Sequence, residues 1–292
     1  MVFSTLSGDE KLVIFVQLCN ALDPGVAVAF ASASSELWEL THAPRQQLQA
    51  DHEAAAALGR KAAKRSCKEL REAMRVVWCR KGLSSDDLSL LGTLGSVLPA
   101  LEELVLWEPT APTDSLQRLA EKLRAGALPA VTYLNLYSTH VGDAGASALA
   151  TALGRGALPR LKRLRLYNTA LGDAGLVALA PALRRRPALE YLNLGGNPFG
   201  NEGLAALVAP PPQAVAPPPT TGGLKKLEAL DLHNTQIADA GCAALAAALD
   251  SGSLPALTRL DLEDICASDA AKITVRQVGL VVTGGAISIY DI

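Results

Sequence analysis

Residues 131–160 read VTYLNLYSTHVGDAGASALATALGRGALPR, and residues 161–188 read LKRLRLYNTALGDAGLVALAPALRRRPA. Set one under the other, the two lines share an apolar-x-x-Leu-x-Leu start, a Thr in the ninth place, a Gly-Asp-Ala-Gly step and a Leu/Ala-rich run. A unit of this length cannot bury its own apolar face. Copies stacked on one another can, so self-similarity at a fixed period constrains the chain to a solenoid.

Each unit has a strand half and a helix half. Side chains alternate along a strand, so Leu134 and Leu136 share one face and Tyr133, Asn135 and Tyr137 share the other. The leucine face is the one that must be buried. Gly142-Asp143-Ala144-Gly145 predicts a helix start, with Asp143 as its N-cap and Gly145 letting the helix begin close to neighbouring backbone. Leu149 and Leu153, four apart, share the helix face that packs back on the strands. Gly156 and Pro159 end the helix.

Further units start at Leu189, Leu227 and Leu257, and earlier ones at Leu101 and, in degenerate form, at Ala73, where Val76 and Trp78 take the leucine places. The pattern resembles the leucine-rich repeat, in its long ribonuclease-inhibitor type with one helix per repeat. The resemblance implies an α/β solenoid over residues 73–272, about seven repeats, with parallel strands on a concave face and helices on a convex one. It also implies that the outward strand residues line the concave surface and hold a protein partner. Those expected to do so are Trp107, Tyr133, Tyr137, Arg163, Arg165, Tyr167, Tyr191, Asn193, Asp231 and His233. Tyr, Trp and Arg are the side chains that dominate interface energies. The face grades from aromatic and basic in the middle to acidic toward the C-terminus.

Two stretches depart from the period. Residues 209–223, APPPQAVAPPPTTGG, are a Pro-rich insertion that cannot continue a helix and reads as a surface loop. Residues 273–292 are rich in β-branched side chains around a Gly-Gly break. They predict a strand, a turn and a second strand, an atypical C-terminal tail.

Ahead of the repeats, residues 45–72 are composed of helix formers and predict one linking helix, whose Arg60, Lys61, Lys64 and Arg65 form a solvated basic face. Residues 1–44 predict three short helices: one over 12–22, one opened by Pro24 at Val26, and one capped by Ser34 or Ser35 that carries Leu37, Trp38 and Leu40. Leu18, Leu22-Asp23-Pro24, the small and apolar series to Phe30, Ser34, Trp38 and Leu40 give this small all-helical domain a likeness to the F-box. That resemblance implies docking on a Skp1-type adaptor of a cullin-RING ubiquitin ligase through Leu18, Leu22, Pro24, Val26 and Trp38. The family's opening Leu-Pro is absent, and Val26-Ala27 stands where its Asp-Leu would follow the turn.

No Gly-rich phosphate loop, Gly-x-Ser-x-Gly or His-Glu-x-x-His occurs, so the chain does not read as an enzyme and calls for no cofactor. His233 has Asp231 beside it and Asp261 and Glu263 in the next strand, a set able to hold a metal or move a proton. An ordinary surface histidine is the simpler reading, and no metal is assigned. Five cysteines without a Cys-x-x-Cys signal neither a disulfide framework nor a zinc site and suit a reducing compartment, cytoplasmic or nuclear. A net charge of −2 favours neither nucleic acid nor membrane. The reading is a protein-binding module, with a substrate receptor for ubiquitin transfer as its sharper form. The alternatives are a plain scaffold or inhibitor, or a GTPase-activating protein of the same repeat type.

Overall fold

The computed structural model describes residues 6–208, 223–283 and 288–290. Five helices open the chain: α1 (Gly8–Leu18), α2 (Gly25–Ala31), α3 (Ser35–Leu40), α4 (His42–Lys61) and α5 (Cys67–Arg71). Strands and helices then alternate: β1 (Arg75–Cys79), α6 (Ser85–Leu94), β2 (Glu103–Trp107), α7 (Ser115–Lys122), β3 (Tyr133–Asn135), α8 (Gly142–Gly154), β4 (Arg163–Arg165) and α9 (Asp173–Arg184). They continue as β5 (Tyr191–Asn193), α10 (Asn201–Val208), β6 (Ala229–Asp231), α11 (Asp239–Asp250), β7 (Arg259–Asp261), α12 (Asp269–Thr283) and β8 (Ser288–Tyr290). The strands form one parallel sheet in sequence order. Its register puts Leu104, Leu134, Leu164, Leu192, Leu230 and Leu260 in one row. This is the expected α/β solenoid preceded by a helical segment.

Both leucine columns are buried, from Leu134 and Leu136 to Leu260 and Leu262. Burying each such side chain contributes roughly 1.5–3 kcal/mol. Leu164 has neighbours above, below and behind it and no exposed surface. Leu164→Ala is expected to cost about 2–5 kcal/mol in chemical denaturation, because stacked repeats cannot close the cavity. A loss under about 1 kcal/mol would mean that the column is not tightly packed.

After β1 and β3 to β7 the chain leaves the sheet through a left-handed residue in the eighth place of the repeat, as at Ser138 (φ 51°), Asn168 (φ 51°), Gly196 (φ 67°) and Asn234 (φ 51°). Asn and Gly tolerate that conformation best. The ninth place is polar and buried at Thr139, Thr169, Asn197 and Thr235. There it serves turn backbone that the leucines cut off from water. Thr139 Oγ1 donates to the Leu106 carbonyl (2.9 Å) and accepts from the Glu108 N–H (3.2 Å).

The Gly-Asp-Ala-Gly step works differently from the expected N-cap. Asp143 lies inside the first turn of α8, and its Oδ1 accepts from the Gly172 N–H (2.8 Å) at the start of the next helix. Asp173 does the same for Gly200 (2.9 Å) and Gly203 (2.7 Å), and Asn201 for Ala238 (2.9 Å) and Gly241 (2.8 Å). The starts of α8, α9 and α10 therefore each cap the next helix, which couples those repeats. The second glycine of the step makes room for this. A Cβ on Gly175 would lie 2.4 Å from Asp143 Oδ1, and one on Gly241 would lie 2.6 Å from Asn201 Oδ1.

Two expected elements differ. The linking helix is broken into α4 and α5 by a turn in which Ala63 takes φ 57° and Ser66 caps α5 by accepting from the Glu69 N–H (3.1 Å). The turn brings Cys67 and Leu70 back onto the core shared by Leu58 and Trp78, a gain that helix propensity alone does not register. In the C-terminal tail, the residues expected to form a first strand are helical, within α12. Ala271, Val275 and Val278, spaced four and three apart, pack on the core, so helical burial overrides β-branched preference. β8 then adds to β7 in parallel as one more strand. Of the Pro-rich insertion, only Gly223 falls among the described residues.

The N-terminal helices contain a small core of Phe15, Ala27, Ala31 and Leu48. Ser7 and Glu10 form a capping box on α1, and Ser34 caps α3. The later part of α4, with Ala55 and Leu58, and α5, with Cys67 and Leu70, belong to the solenoid's own core with Trp78 of its first strand. There Trp78 Nε1 donates to the Leu58 carbonyl (3.3 Å) and Lys61 pairs with Asp87 (2.6 Å). Burial works against the charge on Asp87, but Lys61 and Ser84 outweigh it and hold the carboxyl below its usual range. With the folded value lowered, this pair's stabilisation is fully present above the ordinary carboxylate range and is lost as pH falls from there through the lowered folded value.

Candidate functional site on the concave face

The sheet sets outward side chains one strand spacing apart, and they sort into two lines. Along the seventh places, Trp107 meets Tyr137 edge-on with centroids 5.6 Å apart, and Tyr137 stacks on Tyr167 at 5.0 Å and 11°. The next seventh place is Gly195. Because it has no side chain, the His233 ring crosses β5 and reaches Tyr167 at 5.0 Å. A Cβ on Gly195 would stand 2.8 Å from that ring. Arg80 closes the other end, its guanidinium 4.8 Å from the Trp107 ring. The result is an unbroken ladder from Arg80 to His233.

The second line follows the strand starts. Arg163 lies over Tyr133 (5.0 Å), and Arg165 sits between Tyr133 (5.8 Å) and Tyr191 (5.3 Å). Such contacts are worth about 0.5–1 kcal/mol at exposed sites and hold the guanidinium plane in place. Two recesses flank the lines. One of about 660 Å³ is bordered by Arg80, Trp107, Pro109, Tyr137, His140 and Pro198. The other, of about 340 Å³, lies by Tyr133, Arg163, Arg165, Tyr191, Glu228 and Arg259.

Of the residues expected on this face, Trp107, Tyr133, Tyr137, Arg163, Arg165, Tyr167, Tyr191, Asp231 and His233 come together. Asn193 does not face a partner. It is buried, with its amide donating to Asp231 Oδ2 (2.5 Å) and to the Tyr191 hydroxyl (3.3 Å) and accepting from the Gly195 N–H (3.1 Å). Asn135 braces Tyr137 in the same way, accepting from its N–H at 3.0 Å. Fifth-place amides and carboxylates thus hold the strand ends in shape. The sequence reading missed Arg80, because the first repeat is degenerate. It also missed the prolines and His140 on the recess wall, because they lie in the turns beyond the strands.

The proposed adaptor residues are divided. Val26 (58% exposed) and Trp38 (42% exposed) face outward, together with Val13, Val16 and Val28. Leu18 and Pro24 are half-buried. Leu22 is buried in the solenoid core and is structural, because the Asn20 side chain turns the chain inward there by accepting the Leu22 N–H (2.9 Å). Arg45 lies flat on the Trp38 ring at 3.3 Å and donates to the Trp38 carbonyl (2.6 Å).

All five cysteines are free, and burial pushes the thiols of Cys19, Cys67 and Cys242 up, away from reactivity at neutral pH. Among the described residues, no helix is long and apolar enough to cross a membrane.

Repeat length, sheet register and buried leucine columns define a leucine-rich repeat solenoid. A family model described as Leucine Rich repeat matches residues 128–150, 187–208 and 223–246. Similar solved structures include an internalin C2 from Listeria monocytogenes (19% identity, 82% of this chain and 92% of that one, TM-score 0.44). A Bacteroides fragilis protein is similar at 14% identity, over 80% of this chain and 68% of that one (TM-score 0.43). The actin-binding site 2 of leiomodin-1 is similar at 14% identity, over 51% of this chain and 77% of that one (TM-score 0.38). No curated protein matches the chain. Leucine-rich repeat proteins generally mediate protein–protein interaction.

Proposed function

We propose that this chain is a protein-binding module, not an enzyme, that holds one partner segment along the concave face. The observation that carries this is the aromatic ladder. Half-exposed rings of Trp107, Tyr137, Tyr167 and His233 make a continuous apolar strip with Arg163 and Arg165 beside it, the composition of an interface centre. The test is a photo-crosslinking residue placed at Tyr137 or, as a control, at the convex Val177. A partner crosslinked from position 137 and not from 177 supports the reading, and equal crosslinking from both removes it. The repeat length and single helix per repeat support the ribonuclease-inhibitor type.

A second role is supported by the N-terminal helices. They present Val13, Val16, Val26, Val28 and Trp38 outward around a small core of Phe15, Ala27 and Ala31. This suits an F-box-like segment that docks a Skp1-type adaptor and makes the chain a substrate receptor in a cullin-RING ligase. The full-length chain is expected to bind purified adaptor, with Val26→Asp weakening binding at least tenfold in calorimetry while the melting curve is kept. No binding by the native chain would leave these helices as a cap, and the protein as a scaffold or inhibitor.

A further inference from the structure

We propose that Asp231, His233 and Asp261 form a binding site for a divalent transition-metal ion on the concave face. Asp231 and Asp261 are register partners on β6 and β7, which places two carboxylates side by side. Like charges directly opposite on neighbouring strands are destabilising. Neither has a Lys or Arg within ion-pair distance among the described residues. Their common partner is His233, whose Nδ1 lies 2.5 Å from Asp231 Oδ1 and 3.7 Å from Asp261 Oδ2. One ligand atom from each of the three residues can be chosen so that all lie within 4.8 Å of one another. A tetrahedral ion with bonds of about 2.0–2.2 Å holds its ligand atoms roughly 3.3–3.6 Å apart, between the two observed separations.

The ligands are also held in place, as metal ligands are by the groups behind them. The His233 ring is fixed between Tyr167 and the bare backbone of Gly195. Asp231 is oriented by the Asn193 amide on one oxygen and the His233 N–H (3.3 Å) on the other. Asp261 Oδ1 accepts from the Glu263 N–H (3.0 Å), which leaves Oδ2 toward the histidine. All three residues are partly exposed, so an ion has a way in and keeps an open coordination position. Without an ion, the short contact is an imidazole N–H donating to a carboxylate. An ion takes the Nδ1 lone pair as the ring changes tautomer, the Nδ1 proton passing to solvent and Nε2 carrying the ring N–H. One imidazole with two carboxylates suits zinc or its first-row neighbours; an all-oxygen set would suit magnesium.

Zinc alone is the probe, so the test is independent of any protein partner. Calorimetric titration of metal-free full-length protein is expected to show one zinc per chain at micromolar or tighter affinity, and cobalt should give the visible absorption of a four-coordinate site. His233→Phe keeps a ring on Tyr167 and removes the nitrogen; Asp261→Asn keeps the shape and removes the charge. Each is expected to weaken zinc at least tenfold with the circular dichroism unchanged. No stoichiometric binding by the native chain overturns the proposal. So does binding that either substitution leaves unaltered, since His42, His52 or His140 would then be holding the ion.

Discussion

Asn197→Ala is expected to destabilise the solenoid as much as truncating one of its core leucines. Asn197 is 2% exposed and takes the ninth place where neighbouring repeats have threonine. Its Nδ2 donates to the carbonyls of Leu166 (2.6 Å), Leu194 (2.7 Å) and Gly195 (3.1 Å). Its Oδ1 accepts from the N–H groups of Thr169 (2.9 Å) and Leu171 (3.0 Å). One side chain therefore satisfies the turn of its own repeat and that of the preceding one. Removing it orphans two buried N–H donors at about 1–3 kcal/mol each, which together amount to roughly 2–6 kcal/mol. Asn197→Thr would supply one hydroxyl donor and acceptor, as Thr139 does for Leu106 and Glu108, but not all the bonds of the amide, and should fall between. Urea denaturation measures both. A loss below about 1 kcal/mol for the alanine variant would show that water replaces the amide and that the turns are not sealed.

Tyr137→Ala combined with Tyr167→Ala is expected to abolish capture of the concave-face partner. Truncating anchors of this kind costs about 2 kcal/mol or more each in binding. The double substitution empties the middle of the ladder. The rings also hold one another, since Tyr137 stacks on Tyr167 and makes a T-shaped contact with Trp107. Such pairs are worth about 0.5–1.5 kcal/mol each, so a modest drop in melting temperature should accompany the loss of binding. The two effects can be separated with Tyr137→Phe and Tyr167→Phe, which keep the stack and the stability and test the hydroxyls alone. If the alanine pair loses stability and still binds the crosslinked partner at native affinity, the ladder serves the fold and the binding surface lies elsewhere.

The architecture could be read from the chain because it repeats. Leu134 and Leu136 recur as Leu164 and Leu166 and again to Leu262, and a strict alternation admits one face for burial. The row of Tyr137 and Tyr167 and the row of Tyr133, Arg163 and Tyr191 follow from the same register, since residues one period apart must stand side by side. The small-residue step of each helix start could also be read, but not its role. Asp143 looked like a cap for its own helix, and only the stacking distance between repeats shows that it caps the next. The C-terminal helix was hidden for a similar reason. Local β-branched preference at Ile273, Thr274 and Val275 pointed to a strand, while the surface offered by the preceding helix rewarded a helical period instead.

The finer chemistry depends on neighbours brought together across the sheet. Strand alternation marks Asn193 as a contact residue and the F-box likeness marks Leu22, whereas packing turns both inward, one to brace a strand end and one into the solenoid core. Gly195 is unremarkable in a list of residues, yet its missing side chain lets His233 cross a strand, join the aromatic ladder and settle between two aspartates. Periodicity dictates which positions face outward, because backbone geometry is local and repeats faithfully. What those positions do is decided by contacts spanning one and two repeats, whose distances no single period contains.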